Sequence, residues 1–233
     1  MNDFSQTFSG WRVAKGGLLL MAGLSQAFAA TFTDTTITGE ASILKTGTVL
    51  VANNTGGGAA TTINGIAFAS SDSGLSGGGT GGGDFSDQFP AGSPLDIVLS
   101  TVHQSNFTLT LSGLTSGASY TLQLLMADDL QNTSARIFRL TFDGTQITET
   151  LPYTSTGAKD VIIDFVATSA TDSVTFRDIS TGLPVLNGYV LETAPAAAVP
   201  EPSYFAMTCL LLAGLGAMKR RRRSKPFNAP HIG

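Results

Sequence analysis

Cysteine is almost missing from this sequence: among 233 residues there is only Cys209. No intrachain disulfide can form, and no cysteine-based metal site can be assembled. Cys209 lies inside an apolar run, where it reads as a small apolar helix residue, with S-acylation as the other use. Charge is scarce too, at 13% of the chain, whereas glycine alone supplies 27 residues. That balance points away from a helical cytosolic protein and towards a β-rich, turn-rich, extracytoplasmic one. Basic residues are scarcer still in the middle of the chain. Between Thr31 and Val199, Lys45, Arg136, Arg139, Lys159 and Arg177 stand against 15 acidic residues, a balance of −10. Such a surface repels phosphate backbones, so no nucleic-acid partner is expected. His103 is the one histidine of this middle segment, read as a strand or turn residue, and no His-Glu-x-x-His pair occurs. No catalytic residue is assigned and no enzyme is expected. A glycan-processing enzyme stays open as an alternative, because paired carboxylates need no proximity in sequence.

What the middle lacks, the ends supply. "GWRVAKGGLLLMAGLSQAFAATF" sets Arg12 and Lys15 before an apolar stretch from Gly16 to Leu24, then a small-x-small site at Ala27-Phe28-Ala29. This is the tripartite pattern of a secretory signal peptide, residues 1–30, with cleavage expected after Ala29 or Ala30 by signal peptidase following export through the Sec translocon. Its core of about nine residues is too short to span a bilayer, which takes about 20. The only tryptophan, Trp11, falls in this removable segment. At the other end, a Pro/Ala linker (194–199) leads to Pro200-Glu201-Pro202, an apolar segment from Ser203 to Met218, and the basic block Lys219, Arg220, Arg221, Arg222, Arg223 with Lys225. As a helix the apolar segment would be about 24 Å long. That is slightly short for a bilayer core, but flanking cations can snorkel to the interface. A single C-terminal transmembrane helix is therefore expected, with its basic end cytoplasmic and the middle domain outside the inner membrane.

The combination of Pro-Glu-Pro box, one apolar helix, terminal Arg cluster and N-terminal signal peptide resembles the PEP-CTERM sorting signal of Gram-negative bacteria, here residues 200–225 with a short tail at 226–233. The resemblance implies recognition by an exosortase, a membrane transpeptidase that removes the tail and passes the protein to the cell surface or the extracellular matrix. Pro200, Glu201 and Pro202 would be the recognition site, held extended by the two prolines. The "SKPFNAPHIG" that follows the Arg block departs from the pattern by its length.

Between these addresses, residues 31–193 carry the alternation of half-buried strands. In "NFTLTLSG", Phe107, Leu109 and Leu111 share one face and Thr108, Thr110 and Ser112 the other. "SYTLQLLMAD", "ARIFRLTFDG" and "KDVIIDFVAT" repeat the pattern, and "ILKTGTVLVA", "INGIAFA", "PLDIVLST", "DSVTFRD" and "VLNGYVLE" are further candidates. About nine strands at this spacing predict an all-β fold, an antiparallel jelly-roll β-sandwich, with a small insert helix left open. "SGLTSGASYTL" reads as a turn, with Gly113 and Gly117 available for positive φ. From Gly113 to Glu192 the chain is similar to the malectin-like and galactose-binding-like domains: an acidic turn, an Arg-Phe-type strand, and a last strand entered through Pro184-x-x-Asn187-Gly188.

That resemblance implies carbohydrate binding on loops at one end of the sandwich, through Asp128, Asp129, Asn132 and Arg136, with Tyr153 as a candidate ring face. The same residues have structural readings: side-chain turns for Asp128 and Asn132, an acidic partner for Arg136, and edge packing for Tyr153. The glycine run "SGLSGGGTGGGDFSDQF" lacks the lysine and helix of a phosphate loop and reads as a flexible surface loop. Asp84 and Asp87 after it are two oxygen ligands where Ca²⁺ needs six to eight, so no cofactor is assigned and Ca²⁺ is kept as an option. The expectation is an exported surface or matrix protein binding polysaccharide, with self-associating structural or adhesive protein as the alternative.

Overall fold

A computed structural model describes residues 30–81, 88–128, 136–151 and 157–194. In chain order these form β1 (Thr31–Thr36), β2 (Thr48–Asn54), β3 (Thr61–Ile63), β4 (Ile66–Ser70), β5 (Leu75–Gly81), α1 (Pro94–Leu99), β6 (Val102–Ser112), β7 (Ser119–Met126), β8 (Arg136–Phe142), β9 (Thr145–Leu151), β10 (Lys159–Val166), β11 (Thr171–Thr181), β12 (Val185–Leu186) and β13 (Gly188–Thr193). They build two sheets. One runs β1-β10-β7-β13-β2-β4-β3; in the other, β6 is flanked by β5 on its outside and by β12 and β11 on its inside, followed by β8 and β9. The all-β sandwich read from the sequence is therefore the fold. Pairing is antiparallel throughout except between β2 and β4, which meet in parallel over Asn53–Asn54 and Ala69–Ser70.

The core between the sheets comes from the residues whose alternation marked them. Phe107, Leu109 and Leu111 of β6 meet Phe138, Leu140 and Phe142 of β8, Val174 and Phe176 of β11, and Leu122, Leu124, Val161, Ile163 and Phe165 from the facing sheet. Phe107 stacks on Phe176 at 4.1 Å between centroids. Truncating such a ring to alanine costs about 3–5 kcal/mol. The turn before β7 is as read: Gly113 and Gly117 both take positive φ, and the Tyr120 hydroxyl accepts from the Thr115 amide at 2.8 Å, tying the strand to its own turn.

A second, smaller core lies on the other face of the seven-stranded sheet. There Leu125, Val190 and Ala52 are covered by Ile37, Ile43, the β3–β4 hairpin and α1. Both faces of β7 and β13 are thus buried, and polar side chains on the covered face must find partners. Gln123 accepts from the Leu44 amide and donates to the Leu44 carbonyl, while Glu192 accepts from the Thr46 and Gly47 amides and the Thr46 hydroxyl.

Three strand readings and one loop reading need correcting. "PLDIVLST" is not a strand but α1. Ser93 caps it by accepting from the Asp96 amide, Asp96 reaches back to the Gly92 amide, proline opens the first turn, and Leu95, Val98 and Leu99 bury one helical face. "INGIAFA" is two strands joined by Asn64-Gly65, both at positive φ, the hairpin turn that Asn-Gly favours. "VLNGYVLE" is divided at Asn187, where the chain passes from one sheet to the other. The glycine run is in part a strand: β5 pairs with β6 along its whole length, with a bulge at Gly77–Gly79. Among the described residues no helix is long and apolar enough to cross a membrane. The signal peptide, linker, expected Ser203–Met218 helix and Arg cluster lie outside the described residues.

Candidate binding site at the loop-bearing end

Strand directions sort the molecule into two poles. β13 begins beside Leu125 and Asn54 and ends beside Tyr120 and Thr48. Ala30 and Ala194 sit at the second pole, where Ala194 donates to the Ser119 carbonyl and Thr31 pairs with Asp164. The described residues that flank 82–87, 129–135 and 152–156 all sit at the first pole, because β5 ends opposite Val102, β7 ends opposite Lys159, and β8 starts opposite the end of β9. The candidate site residues Asp129, Asn132 and Tyr153, and the Ca²⁺ candidates Asp84 and Asp87, fall in those three segments and lie outside the described residues.

The two described candidates, Asp128 and Arg136, are brought together below the surface. They are 2% and 5% exposed. The Arg136 Nε donates to Asp128 Oδ2, and a terminal guanidinium nitrogen donates to the Leu183 carbonyl at 2.9 Å. The pair bridges the end of β7 and the start of β8, bracketing the segment that holds Asp129 and Asn132. A buried Arg–carboxylate pair is favourable only with such geometry, and losing one member strands the other charge.

Around the pair runs a polar frame that the sequence did not single out. Asn187, fully buried, donates to the Leu99 and Thr101 carbonyls at 2.8 Å each and accepts from the Ala127 amide at 2.7 Å, linking α1, β6 and β7 to β13. Asn54 does the same across the chain crossing, donating to Ala59 and Ile97 carbonyls and accepting from Thr101 Oγ1. Gly56 takes φ +70°, and a Cβ there would stand 2.3 Å from the Val102 backbone. The only available signal was the cluster "VANNTGGG" together with the Pro184-x-x-Asn187 phrase.

A second network faces β5. Asn53 donates to the Tyr189 hydroxyl, which donates onward to the Ser73 carbonyl, both at 2.8 Å. Burial, with the Asp72 carboxylate as a lesser cause, keeps that phenol protonated above its usual range, against the opposing Asn53 hydrogen bond. His103 is a buried strand residue, as read. Its Nε2 bonds the Gly77 carbonyl at 2.8 Å, its Nδ1 lies 3.8 Å from Asp72 Oδ2, and its ring meets Phe107 edge-on. No group of three His, Cys, Asp or Glu suited to a metal occurs among the described residues. Away from this pole, β2 and β4 splay apart beyond their short parallel contact. They leave an open groove of about 560 Å³ between Val49–Ala52 and Gly65–Ala67, with Lys45 bonded across it to the Gly65 carbonyl.

No protein-family model matches the chain, and no curated protein sequence does. Solved structures do. A crystal structure of the plant receptor-like kinase FER aligns at TM-score 0.50 and 15% identity, covering 64% of this chain and 50% of that one. A plant complex of the peptide RALF23 with FER and LLG2 aligns at 0.50 and 16%, over 64% and 49%. A Bacteroides uniformis beta-glucuronidase aligns at 0.48 and 18%, over 62% of this chain and 18% of its own. The chain thus spans about half or less of these proteins. At such identities the likeness is one of fold.

Proposed function

We propose that this is an exported, non-enzymatic surface or extracellular-matrix protein, a jelly-roll domain delivered by a cleaved signal peptide and sorted through its Pro200-Glu201-Pro202 tail by an exosortase-type transpeptidase. Its loop-bearing pole engages polysaccharide. One observation carries the reading: Ala30 and Ala194 leave the sandwich at the pole opposite the loops. A tether at either end therefore leaves the loop pole facing outwards. Ala30 is 8% exposed and belongs to the core between the sheets, which favours signal cleavage after Ala29 over Ala30.

Self-association is the less supported alternative. The edge strands β1, β3 and β9 are threonine-rich, and β5 is broken by its glycine bulge, so none offers a long apolar edge. Two experiments test the proposal. Replacing Pro200-Glu201-Pro202 with alanines should hold the protein in the inner membrane; unaltered delivery to the surface would refute the sorting role. Binding to a polysaccharide panel, with and without Ca²⁺, should be saturable and lost in Asp129→Ala or Tyr153→Ala; no binding by the folded protein would remove the glycan role.

A further inference from the structure

The outward face of the six-stranded sheet is unlike the rest of this acidic molecule. With Phe107, Leu109, Phe138, Leu140, Val174 and Phe176 pointing inwards, the alternate positions of β6, β8 and β11 point to solvent. Together with those of β5 and β9 they carry Ser, Thr, Asn, Gln, Ile and Arg, and not one Asp or Glu among the described residues. The chain nevertheless has 17 acidic residues. Near the middle of this face Arg177 and Arg139 stand directly opposite each other on β11 and β8. Like charges in such a cross-strand pair, with Cβ atoms about 5 Å apart, destabilise a sheet.

The other cations of the domain are engaged elsewhere: Arg136 with Asp128, Lys159 with Asp34 and Glu149, and Lys45 with the Gly65 carbonyl. Arg139 has no hydrogen-bond or ion-pair partner among the described residues, and Arg177 reaches only the Phe107 and Phe176 carbonyls, at 3.5 and 3.3 Å. Two arginines at directly opposed positions, neither with a carboxylate partner among the described residues, leave positive charge on this face for an anion to neutralise. The surroundings narrow the anion. Thr148 lies beside Arg139, and the neighbouring row across the strands reads Thr108, Thr175, Thr141, a line of hydroxyls matched to sugar hydroxyls. Strands are about 4.8 Å apart, close to the length of one pyranose residue, so a glycan lying across the strands would present successive residues to Arg177 and Arg139. The planar fork of arginine pairs bidentately with a carboxylate.

The geometry points to this face as a binding surface for an acidic, uronate-containing polysaccharide, held by Arg139 and Arg177. The inference rests on the polysaccharide-binding reading above, names the class of glycan, and adds a surface separate from the loop pole. The test uses the full chain in mild detergent against immobilised polygalacturonate, dextran sulfate and neutral dextran. The expected result is saturable binding to polygalacturonate in preference to dextran sulfate, none to dextran, and a loss of affinity of about tenfold or more in Arg139→Gln and in Arg177→Gln.

Arg139→Glu separates a lost site from a lost fold. It sets a carboxylate opposite Arg177, so it should abolish polygalacturonate binding while leaving the melting temperature equal to or above that of the parent. Polygalacturonate binding retained in all three variants overturns the inference, as does a preference for dextran sulfate. Binding of neutral polysaccharide without polygalacturonate overturns it and leaves the loop-pole reading standing, and binding of no polysaccharide at all overturns both.

Discussion

At the scale of single residues, three buried charges decide how this domain responds to change. Asp160 is fully buried, and neither carboxylate oxygen has a hydrogen-bond partner among the described residues. Burial, with Asp34 as a second cause, pushes its pKa up to about 7. The sign follows directly. Below about pH 4 the carboxyl is protonated in both the folded and the unfolded chain. As pH rises from about 4 to about 7 the unfolded chain ionises while the folded one keeps its proton, so stability falls across that window and then levels off. Asp160→Asn should therefore raise stability by on the order of 2–4 kcal/mol near pH 8 and by little near pH 4, as urea titrations at the two values would read. An equal gain at both would contradict this account of Asp160. The Asp128–Arg136 pair gives the opposite expectation: Arg136→Ala should cost about 3–5 kcal/mol by leaving Asp128 buried without its partner, visible as a lowered urea midpoint. That variant is then a poor probe of ligand binding, and Asp129 or Tyr153 is the better choice.

At the scale of elements, α1 depends on its first turn. Ser93→Ala removes the cap on Asp96 and should cost about 1 kcal/mol in urea unfolding; no change would show that Leu95, Val98 and Leu99 hold the helix alone. The strands between the sheets were legible because one face is apolar and the other polar, as in β6, β8, β10 and β11. Legibility failed where that condition fails. "PLDIVLST" has an apolar run too short for periodicity to separate strand from helix, and the deciding signal was the Ser-Pro-x-Asp start. β5 has almost no side chains to alternate, since Leu75–Gly81 is mostly glycine, and its place comes from pairing with β6. Asp160 alternates with Val161 as a solvent-facing residue should, yet a second core covers that side of the sheet, which no local pattern announces. Of the candidate site, the sequence marked Asp128 and Arg136 as neighbours in function. Their partnership across the 129–135 segment, and the Asn54 and Asn187 frame beside it, whose contacts join residues far apart in the chain, carry no local pattern.

At the scale of the whole molecule, the poles and faces divide the work. One pole holds both described ends, the other is framed for loops, one sheet is covered by a second core, and the outward strand positions of the remaining sheet are polar, carry no acidic side chain among the described residues and centre on two arginines. This division is the one that the proposed tethered, glycan-binding domain calls for. The claim that joins these features is export and sorting, and the intact mass of the protein recovered from the cell surface or matrix tests it most directly. The account predicts a chain that begins at Ala30 and has lost the apolar segment and Arg cluster beyond Pro200-Glu201-Pro202. A chain recovered from the cytoplasm with Met1 and Gly233 both in place would contradict it.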